Sequence, residues 1–207
     1  MLLNISILLI IYTFWIITQK LLSTDVEAKG EIIDRIHNCQ LISNLNSWFK
    51  NNHQLAKYNI IISTLLIDLS LIYMVYDFLF YNNYKVIITL FIGLILRQMC
   101  QFINRLPTPK DMIWFDPQFG TLTMVYQVTN DFFFSGHTLI ALIMGLEFYN
   151  TTSMLIKILA IIFMMYEILF ILIINGHYFM DVYGAIATYF MINYLIEYLL
   201  KLNCYQI

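Results

Sequence analysis

Long apolar runs alternate with short polar segments along most of this chain. A helix of about 20 apolar residues is long enough to cross the hydrocarbon core of a bilayer, and six runs approach or reach that length. They are Leu2–Thr18, Tyr58–Tyr81, Val86–Ile103, Phe132–Tyr149, Ser153–Asn175 and Val182–Leu200. The pattern predicts six transmembrane helices. The first run lacks a basic leading segment and a small-residue cleavage site, so we interpret it as a retained span rather than a signal peptide.

Very short turns join the second span to the third and the fourth to the fifth. Helices joined by so few residues must lie antiparallel and adjacent. Six crossings would place the 1–2, 3–4 and 5–6 connections on one side of the membrane. We therefore predict an all-α integral membrane protein, a six-helix bundle with an interfacial amphipathic helix after the first span. It is expected to be one structural domain, with residues 1–57 forming the first span and interfacial segment and residues 58–207 a five-span core.

The connection Gln19–Lys57 mixes charged residues with an apolar stripe at helical spacing. The stripe consists of Ile32, Ile33, Ile36, Leu41, Ile42, Leu45, Trp48 and Phe49. Thr24 with Glu27 three residues later fits a capping box at a helix start. We expect one or two helices in the membrane interface, anchored by Trp48 and Phe49.

The connection Asn104–Asp131 contains all three prolines of the chain, Pro107, Pro109 and Pro117. Proline is poorly tolerated inside helices, so we predict a structured loop over one end of the bundle.

Composition narrows the class of protein. Of 207 residues, 60% are hydrophobic and 12% charged, against about 25% charged in soluble domains. The net charge of -2 gives no indication of nucleic-acid binding. Three widely spaced cysteines form no metal-ligand pattern and no complete disulfide framework. No HExxH motif or aspartate-rich cluster is present, so we predict no metal and no cofactor.

Two motifs carry candidate chemistry. Ser135-Gly136-His137 opens the fourth span, and His177 precedes Asp181 by four residues at the start of the sixth. A carboxylate can hold the tautomer of a nucleophilic histidine and stabilise the positive charge that forms on attack. A second histidine can protonate a leaving group. Both motifs are predicted on the same side of the membrane, so they can act together.

These motifs, with Arg97 and Leu106-Pro107-Thr108-Pro109, resemble the sphingomyelin synthase family, the lipid phosphotransferase branch related to type-2 phosphatidic acid phosphatases. The resemblance runs from about residue 97 to residue 198. Plant phosphatidylcholine:diacylglycerol cholinephosphotransferases are similar too, with Leu-Pro-x-Pro and Phe-Phe-Ser-Gly-His. The Lys-x6-Arg-Pro block of the phosphatases is missing, and Ile171 stands where they carry an arginine. The resemblance therefore favours head-group transfer over phosphatase action.

The resemblance implies catalytic roles for four residues. His177 is the nucleophile, Asp181 orients it, and His137 exchanges a proton with the leaving and accepting lipid. Asp131, six residues before His137, either assists that histidine, pairs with a choline ammonium, or only caps the fourth span.

Arg97, Arg105, Ser135, Gly136 and Tyr178 are the candidate substrate-binding residues. Arg97 would clamp a phosphodiester; alternatively it forms a structural ion pair with Asp68 or Asp77. Arg105 meets phosphate either specifically or as a loop cation beside lipid head groups. Ser135 and Gly136 would shape an anion site at a helix start.

Tyr178 belongs to a set of aromatic residues near the motifs. The set is Trp114, Phe115, Tyr126, Phe132 and Tyr178. They form either a quaternary-ammonium box or, as we favour, an interfacial aromatic belt.

The predicted activity moves a phosphocholine-type head group from phosphatidylcholine or phosphatidylethanolamine to ceramide or diacylglycerol. Two alternatives stay open: a phosphatase or phospholipase C-like hydrolase, and a non-catalytic lipid-binding protein or transporter. The expected partners are membrane lipids and not nucleic acid, and a homo-oligomer is left open. Positive charges favour a cytoplasmic catalytic side, whereas the resemblance implies a lumenal or outer side, so sidedness also stays open.

Overall fold

The computed structural model describes residues 2–23, 28, 30–122 and 132–204. Seven helices form the described part of the chain: α1 (Leu2–Ser23), α2 (Gln40–Asn51), α3 (His53–Tyr81), α4 (Tyr84–Ile103), α5 (Gly136–Tyr149), α6 (Met154–Ile173) and α7 (Phe179–Cys204). No strand occurs within those ranges. The predicted all-α class is confirmed.

Five helices, α1, α3, α4, α6 and α7, are long and apolar enough to cross a membrane. The prediction of six full-length spans is wrong, because α5 has only 14 residues. At 1.5 Å per residue it is about 21 Å long, shorter than a hydrocarbon core of about 30 Å. It begins at Gly136 and not at Phe132, since Ser135 caps it and the preceding phenylalanines lie outside the helix.

The short helix α5 lies at the centre of the bundle. It packs against α3, α4, α6 and α7, and its residues 138 to 145 are all buried. Gly93 of α4 allows a close approach, since a Cβ there would lie 2.6 Å from Leu139. Because other helices surround α5, it need not span the bilayer by itself, and its start, capped by the fully buried Ser135, lies inside the protein. The site therefore begins inside the bundle.

The helices alternate in direction between two ends. At the distal end, the turn at Asn82 and Asn83 joins α3 to α4, and Asn83 also donates to Glu147 near the end of α5. Lys85 at the start of α4 pairs with Glu197 near the end of α7, at 3.1 Å. The opposite end, here called the site end, gathers the end of α4, the start of α5, the end of α6 and the start of α7.

Helix α2 lies at the site end and is shorter than the predicted amphipathic segment. Ile32 and Ile33 precede it in non-helical chain. One face packs on α3 and α6, and Phe49 contacts Phe170 edge to face at 6.0 Å. Of the two predicted anchors, Phe49 is therefore a core residue, whereas Trp48 remains 48% exposed. The predicted capping box at Thr24 and Glu27 lies outside the described residues.

Several further boundaries differ from the prediction, among them the end of α1, at Ser23 instead of Thr18. Helix α3 begins at His53, five residues before the predicted Tyr58, so the predicted division after residue 57 falls inside this helix. Helix α7 begins at Phe179 instead of Val182, which places Asp181 within its first turn. The residues added at the two starts, 53–57 and 179–181, contain no proline or glycine, so the backbone hydrogen bonds of each helix continue through them.

Candidate functional site

His177 and Asp181 form a buried pair at the site end. The Nδ1 atom of His177 lies 3.0 Å from Oδ2 of Asp181, and the two residues are 7% and 0% exposed. A carboxylate accepts hydrogen bonds, so Nδ1 carries the proton. The neutral imidazole then holds its lone pair on Nε2, the nitrogen that can act as a nucleophile.

The start of helix α7 explains why the pair forms. Asp181 accepts from the backbone N–H of Tyr178 at 3.0 Å through the same Oδ2 atom. A carboxylate in the first turn satisfies a free N–H and favours the positive end of the helix dipole. The same side chain thus caps the helix and orients His177, which lies just before it. Its other oxygen, Oδ1, is buried and has no hydrogen-bond partner within the described chain.

The two predicted motifs meet through the backbone. The N–H of Ser135 donates to the carbonyl oxygen of Asp181 at 3.1 Å. The Ser135 hydroxyl accepts from the N–H of Thr138 at 3.3 Å and from its hydroxyl at 3.1 Å. Ser135 is therefore the cap of α5 and fixes its start against α7. The structure brings the two motifs to the same end of the bundle, as the sequence predicted.

His137 is the second residue of α5 and is half-buried. Its position at the helix start places it on the segment that Ser135 fixes against α7. The other predicted catalytic residue, Asp131, lies outside the described residues.

Arg97 lies beside the start of α5. Its Nε atom donates to the carbonyl oxygen of Phe134 at 2.9 Å, and Nη1 donates to Gln101 at 3.3 Å. A Cβ on Gly136 would lie only 3.2 Å from Nε, so the glycine allows the guanidinium to lie against the backbone. The alternative pair with Asp77 is wrong, because Asp77 lies at the distal end and accepts from Asn83.

Arg105, predicted to meet phosphate, and Asp68, predicted as an alternative partner of Arg97, lie in different surroundings. Arg105 is exposed in the loop after α4. Asp68 is buried in α3 and accepts the N–H of Leu122 at 3.1 Å. Asp68 thus holds the far part of the proline-containing loop against the bundle.

Tyr178 is buried and forms the aromatic wall of the site. Its hydroxyl donates to the Pro107 carbonyl at 2.9 Å, and burial raises the pKa of the phenol above its ordinary value. Phe132 contacts the rings of both His177 and Tyr178 edge to face, at 5.9 and 6.3 Å. Phe115 instead packs against His53, so it is not part of a box around Tyr178, and Tyr126 lies outside the described residues.

Two residues of the site were not predicted. His37 contacts the His177 carbonyl oxygen through Nε2 at 3.0 Å, and Asp34 accepts the N–H of Phe179 at 2.6 Å. Both precede α2 and lie about 140 residues from their partners along the chain. In the sequence they are only a histidine and an aspartate in a polar connection. No pattern there indicates a contact with residues so far along the chain.

Ion pairs tie the segment before α3 to the proline-containing loop. Lys50 lies 2.6 Å from Asp111, and Lys110 lies 3.0 Å from Glu31. The hydrogen bond from Lys50 holds the pKa of the Asp111 carboxyl below its ordinary value. The hydrogen bond to Glu31 raises the pKa of the Lys110 ammonium. Both pairs are solvent-exposed, so their role is to position the loop and not to bind a buried ligand.

The described residues contain no cluster of three or more histidine, cysteine or acidic side chains that could hold a metal ion. What the site does offer is a nitrogen nucleophile with an orienting carboxylate, a second histidine at a helix start, and a buried guanidinium. That set of groups is suited to nucleophilic attack on an anionic centre with proton transfer.

The fold and the location of these groups are those of a multi-pass α-helical membrane protein. Residues 37–198 match the AtPDCT1/2 family model, which represents phosphatidylcholine:diacylglycerol cholinephosphotransferase-like proteins. The chain belongs to this family, and the match covers most of its length, including every described residue of the site except Asp34. No curated protein and no solved structure was found to match the chain.

The family match supports the predicted class, a membrane lipid phosphotransferase. It does not support the sphingomyelin synthase family or the sphingolipid part of the prediction. The Leu-Pro-x-Pro and Ser-Gly-His motifs resemble both families, so the motifs alone did not separate the two. The individual roles of His137, His177, Asp181 and Asp131 stay predictions.

Proposed function

We propose that the protein transfers the phosphocholine head group from phosphatidylcholine to a lipid hydroxyl, with diacylglycerol as the acceptor. The observation that carries the proposal is the buried contact of His177 Nδ1 with Asp181 at 3.0 Å, which leaves Nε2 as the nucleophile. Membership of the family supports the choice of phosphocholine and diacylglycerol. The proposed site needs no nucleotide, metal or cofactor.

In the first half-reaction, the Nε2 lone pair of His177 attacks the phosphorus of the donor lipid. An Nε2–P bond forms, and the P–O bond to the glycerol oxygen breaks. His137, protonated beforehand, gives its proton to that oxygen and releases diacylglycerol. The phosphorylated imidazole keeps its Nδ1 proton and is positively charged, and the Asp181 carboxylate stabilises that charge.

In the second half-reaction, the hydroxyl oxygen of the acceptor lipid attacks phosphorus. His137 takes the hydroxyl proton, the Nε2–P bond breaks, and the lone pair returns to His177 Nε2. The reaction needs no further proton donor or acceptor, since His137 ends in the protonated form with which it began. Water in place of the lipid hydroxyl would give hydrolysis by the same steps.

Three features around this path favour an anionic, choline-bearing substrate. The start of α5 presents the positive end of its helix dipole, which favours the negative charge of phosphoryl oxygens. The buried Arg97 lies against the same helix start, where its positive charge favours the phosphodiester. The rings of Phe132 and Tyr178 adjoin His177, and aromatic faces attract quaternary ammonium groups.

The test is a transfer assay with purified protein in mixed micelles. Choline-labelled phosphatidylcholine is supplied with diacylglycerol, with ceramide or without acceptor, and ethanolamine-labelled phosphatidylethanolamine is tested in parallel. We expect label in phosphatidylcholine that carries the distinct acyl chains of the added diacylglycerol, and its loss to background in His177→Ala. His53→Ala is the matched control, because His53 is exposed at the start of α3 and is expected to leave transfer intact.

The other outcomes each contradict a part of the proposal. Label on ceramide alone would replace the acceptor, and label from phosphatidylethanolamine alone would replace the head group. Free phosphocholine at the same rate with and without acceptor would make the protein a hydrolase. Full activity in His177→Ala would remove the proposed nucleophile and with it the mechanism.

A further inference from the structure

The peptide group between His177 and Tyr178 is held from both sides. Its carbonyl oxygen lies 3.0 Å from Nε2 of His37, and its N–H donates to Oδ2 of Asp181 at 3.0 Å. The same Oδ2 accepts from the His177 imidazole. Because a peptide group is planar, these contacts fix the orientation of the backbone that carries His177.

The contacts form one chain of hydrogen bonds. A carbonyl oxygen only accepts, so the Nε2 atom of His37 must be the donor. Donation to that carbonyl polarises the amide and strengthens the N–H donor on its other side, since hydrogen bonds in series reinforce one another in a low-dielectric environment. His37 therefore acts on the carboxylate that orients His177, without touching the reacting nitrogen itself.

His37 is itself held in place. Its ring stacks on Tyr178 with centroids 6.1 Å apart and an angle of 24° between planes. Nearby, Asp34 accepts the N–H of Ile36 at 2.8 Å and the N–H of Phe179 at 2.6 Å. One side chain thus shapes the turn before His37 and attaches it to the first residue of α7. The segment before α2 is fastened to the residues that carry the proposed nucleophile at three points.

We propose that His37 is a positioning residue for His177, acting through the 177–178 peptide and Asp181. The inference rests on the proposed function, in which His177 Nε2 attacks the lipid phosphorus. His37 donates a hydrogen bond that keeps the imidazole in its attacking orientation and in the Nδ1–H tautomer. It takes no proton from the reaction and contacts no reacting atom.

Two substitutions separate the hydrogen bond from the ring. His37→Gln keeps an N–H donor at a similar reach but removes the aromatic ring, whereas His37→Phe keeps the ring on Tyr178 but removes the donor. We expect His37→Phe to lower kcat by about tenfold to a hundredfold with the KM for diacylglycerol unchanged, as expected when a nucleophile is misplaced. His37→Gln should restore kcat to within about threefold of the wild type, because the donor is retained.

A second readout does not depend on transfer activity. The chain has only four histidines, so isotope labelling of histidine gives a magnetic resonance spectrum with four imidazoles, and His53→Gln helps to assign it. The Nδ1–H signal of His177 should be present in the wild type and in His37→Gln. It should shift or disappear in His37→Phe. If the wild type fails to transfer phosphocholine, the proposed function fails, yet this spectrum still tests the contact.

Three results would overturn the inference. Wild-type kcat and an unchanged His177 signal in His37→Phe would show that the donor is dispensable. Loss of activity in His37→Gln with retention in His37→Phe would assign the role to stacking. Equal losses in both variants, with equal decreases in melting temperature, would make His37 a structural residue only.

Discussion

The two ends of the bundle carry similar polar residues and use them differently. At the distal end, Asn83 donates to Asp77 at 2.6 Å and to Glu147 at 3.0 Å, and Lys85 pairs with Glu197 on the surface. These acids are half-buried or exposed, and each accepts a hydrogen bond. The hydrogen bonds and ion pair of these acids connect neighbouring helices, and this structural role accounts for the acids at the distal end.

At the site end several polar groups are buried, and they come from segments far apart in the chain. Asp181 is completely buried, and one of its carboxylate oxygens has no hydrogen-bond partner within the described chain. Gln98, next to Arg97 on α4, is 5% exposed, and neither of its amide atoms has such a partner there. Burying polar groups without partners costs stability. A buried carboxylate oxygen and a buried amide without partners at the site end therefore favour a use of that end beyond packing.

The largest difference between the ends is expected from exchanging a carboxylate for an amide at each. Asp181→Asn removes the charge that stabilises the His177 imidazolium and disturbs its tautomer, so transfer should fall by about a hundredfold to ten thousandfold. Asp77→Asn makes the same chemical change at the distal end and should leave the rate within about twofold, because no reacting group lies there. Initial transfer rates measure both. Comparable losses in the two variants would remove the distinction between the ends.

Gly136 and Gly145 lie toward opposite ends of α5, so substitution of each compares the site end with the distal end. Gly136→Ala places a methyl group against Arg97 and should lower transfer about tenfold, or about 1.4 kcal/mol in the barrier. Gly145→Ala places a methyl group into Met164 and should instead cost about 1–3 kcal/mol of stability through overpacking. Gly120→Ala is the control, because open space surrounds that position. The pattern is wrong if Gly145→Ala impairs the rate per folded molecule more than Gly136→Ala does.

A smaller contrast comes from removing the half-buried amide of Asn83, which has partners, and the buried amide of Gln98, which has none within the described chain. Asn83→Leu removes the donor to Asp77 and Glu147, and we expect a loss of about 1–2 kcal/mol in the free energy of unfolding. Gln98→Met has a similar shape and removes an amide without partners, so stability should stay equal or rise by about 1 kcal/mol. Thermal unfolding in detergent measures the difference. A marked destabilisation by Gln98→Met would mean that this amide is satisfied in the folded protein.

The smallest effect concerns the surface pair of Lys50 and Asp111. Lys50→Met should cost less than about 1 kcal/mol, since exposed ion pairs contribute little. Because the pKa of Asp111 is lowered in the folded protein, the pair contributes above the ordinary pKa of aspartate, and its contribution is lost as pH falls through the lowered value. Unfolding of wild type and variant should therefore differ at neutral pH and converge in acid. A difference that grows in acid would contradict the assignment.

Local patterns in the sequence predicted the parts of this molecule that depend on near neighbours. The apolar runs of α3, α4, α6 and α7 were recognised, as was the i, i+4 pair of His177 and Asp181, because helix periodicity determines both. The start of α5 was placed four residues too early. Phe132, Phe133 and Phe134 read as part of an apolar helix, whereas the cap by Ser135 and the contact of the Phe134 carbonyl with Arg97 fix them outside it.

The parts that could not be predicted depend on tertiary contacts. His37 and Asp34 reach α7 across 140 and 145 residues, and no periodicity or motif encodes such a separation. The alternative that paired Arg97 with Asp77 was also decided by topology, since only the packed bundle places Asp77 at the distal end and the start of α5 beside the guanidinium. The choice between two related lipid transferase families came from the match over residues 37–198, not from the short motifs.

The proposed mechanism passes through a covalent phosphocholine intermediate on His177, and trapping that intermediate tests it directly. Purified protein is mixed with phosphatidylcholine carrying labelled phosphorus, without acceptor, and quenched in alkaline detergent, where a phosphorus–nitrogen bond survives. We expect label on the wild-type protein that is released by acid and disappears when diacylglycerol is added before the quench. The label should be absent in His177→Ala but present in His53→Ala. Wild-type protein that transfers the head group at full rate yet carries no label, or equal labelling of His177→Ala, would contradict it.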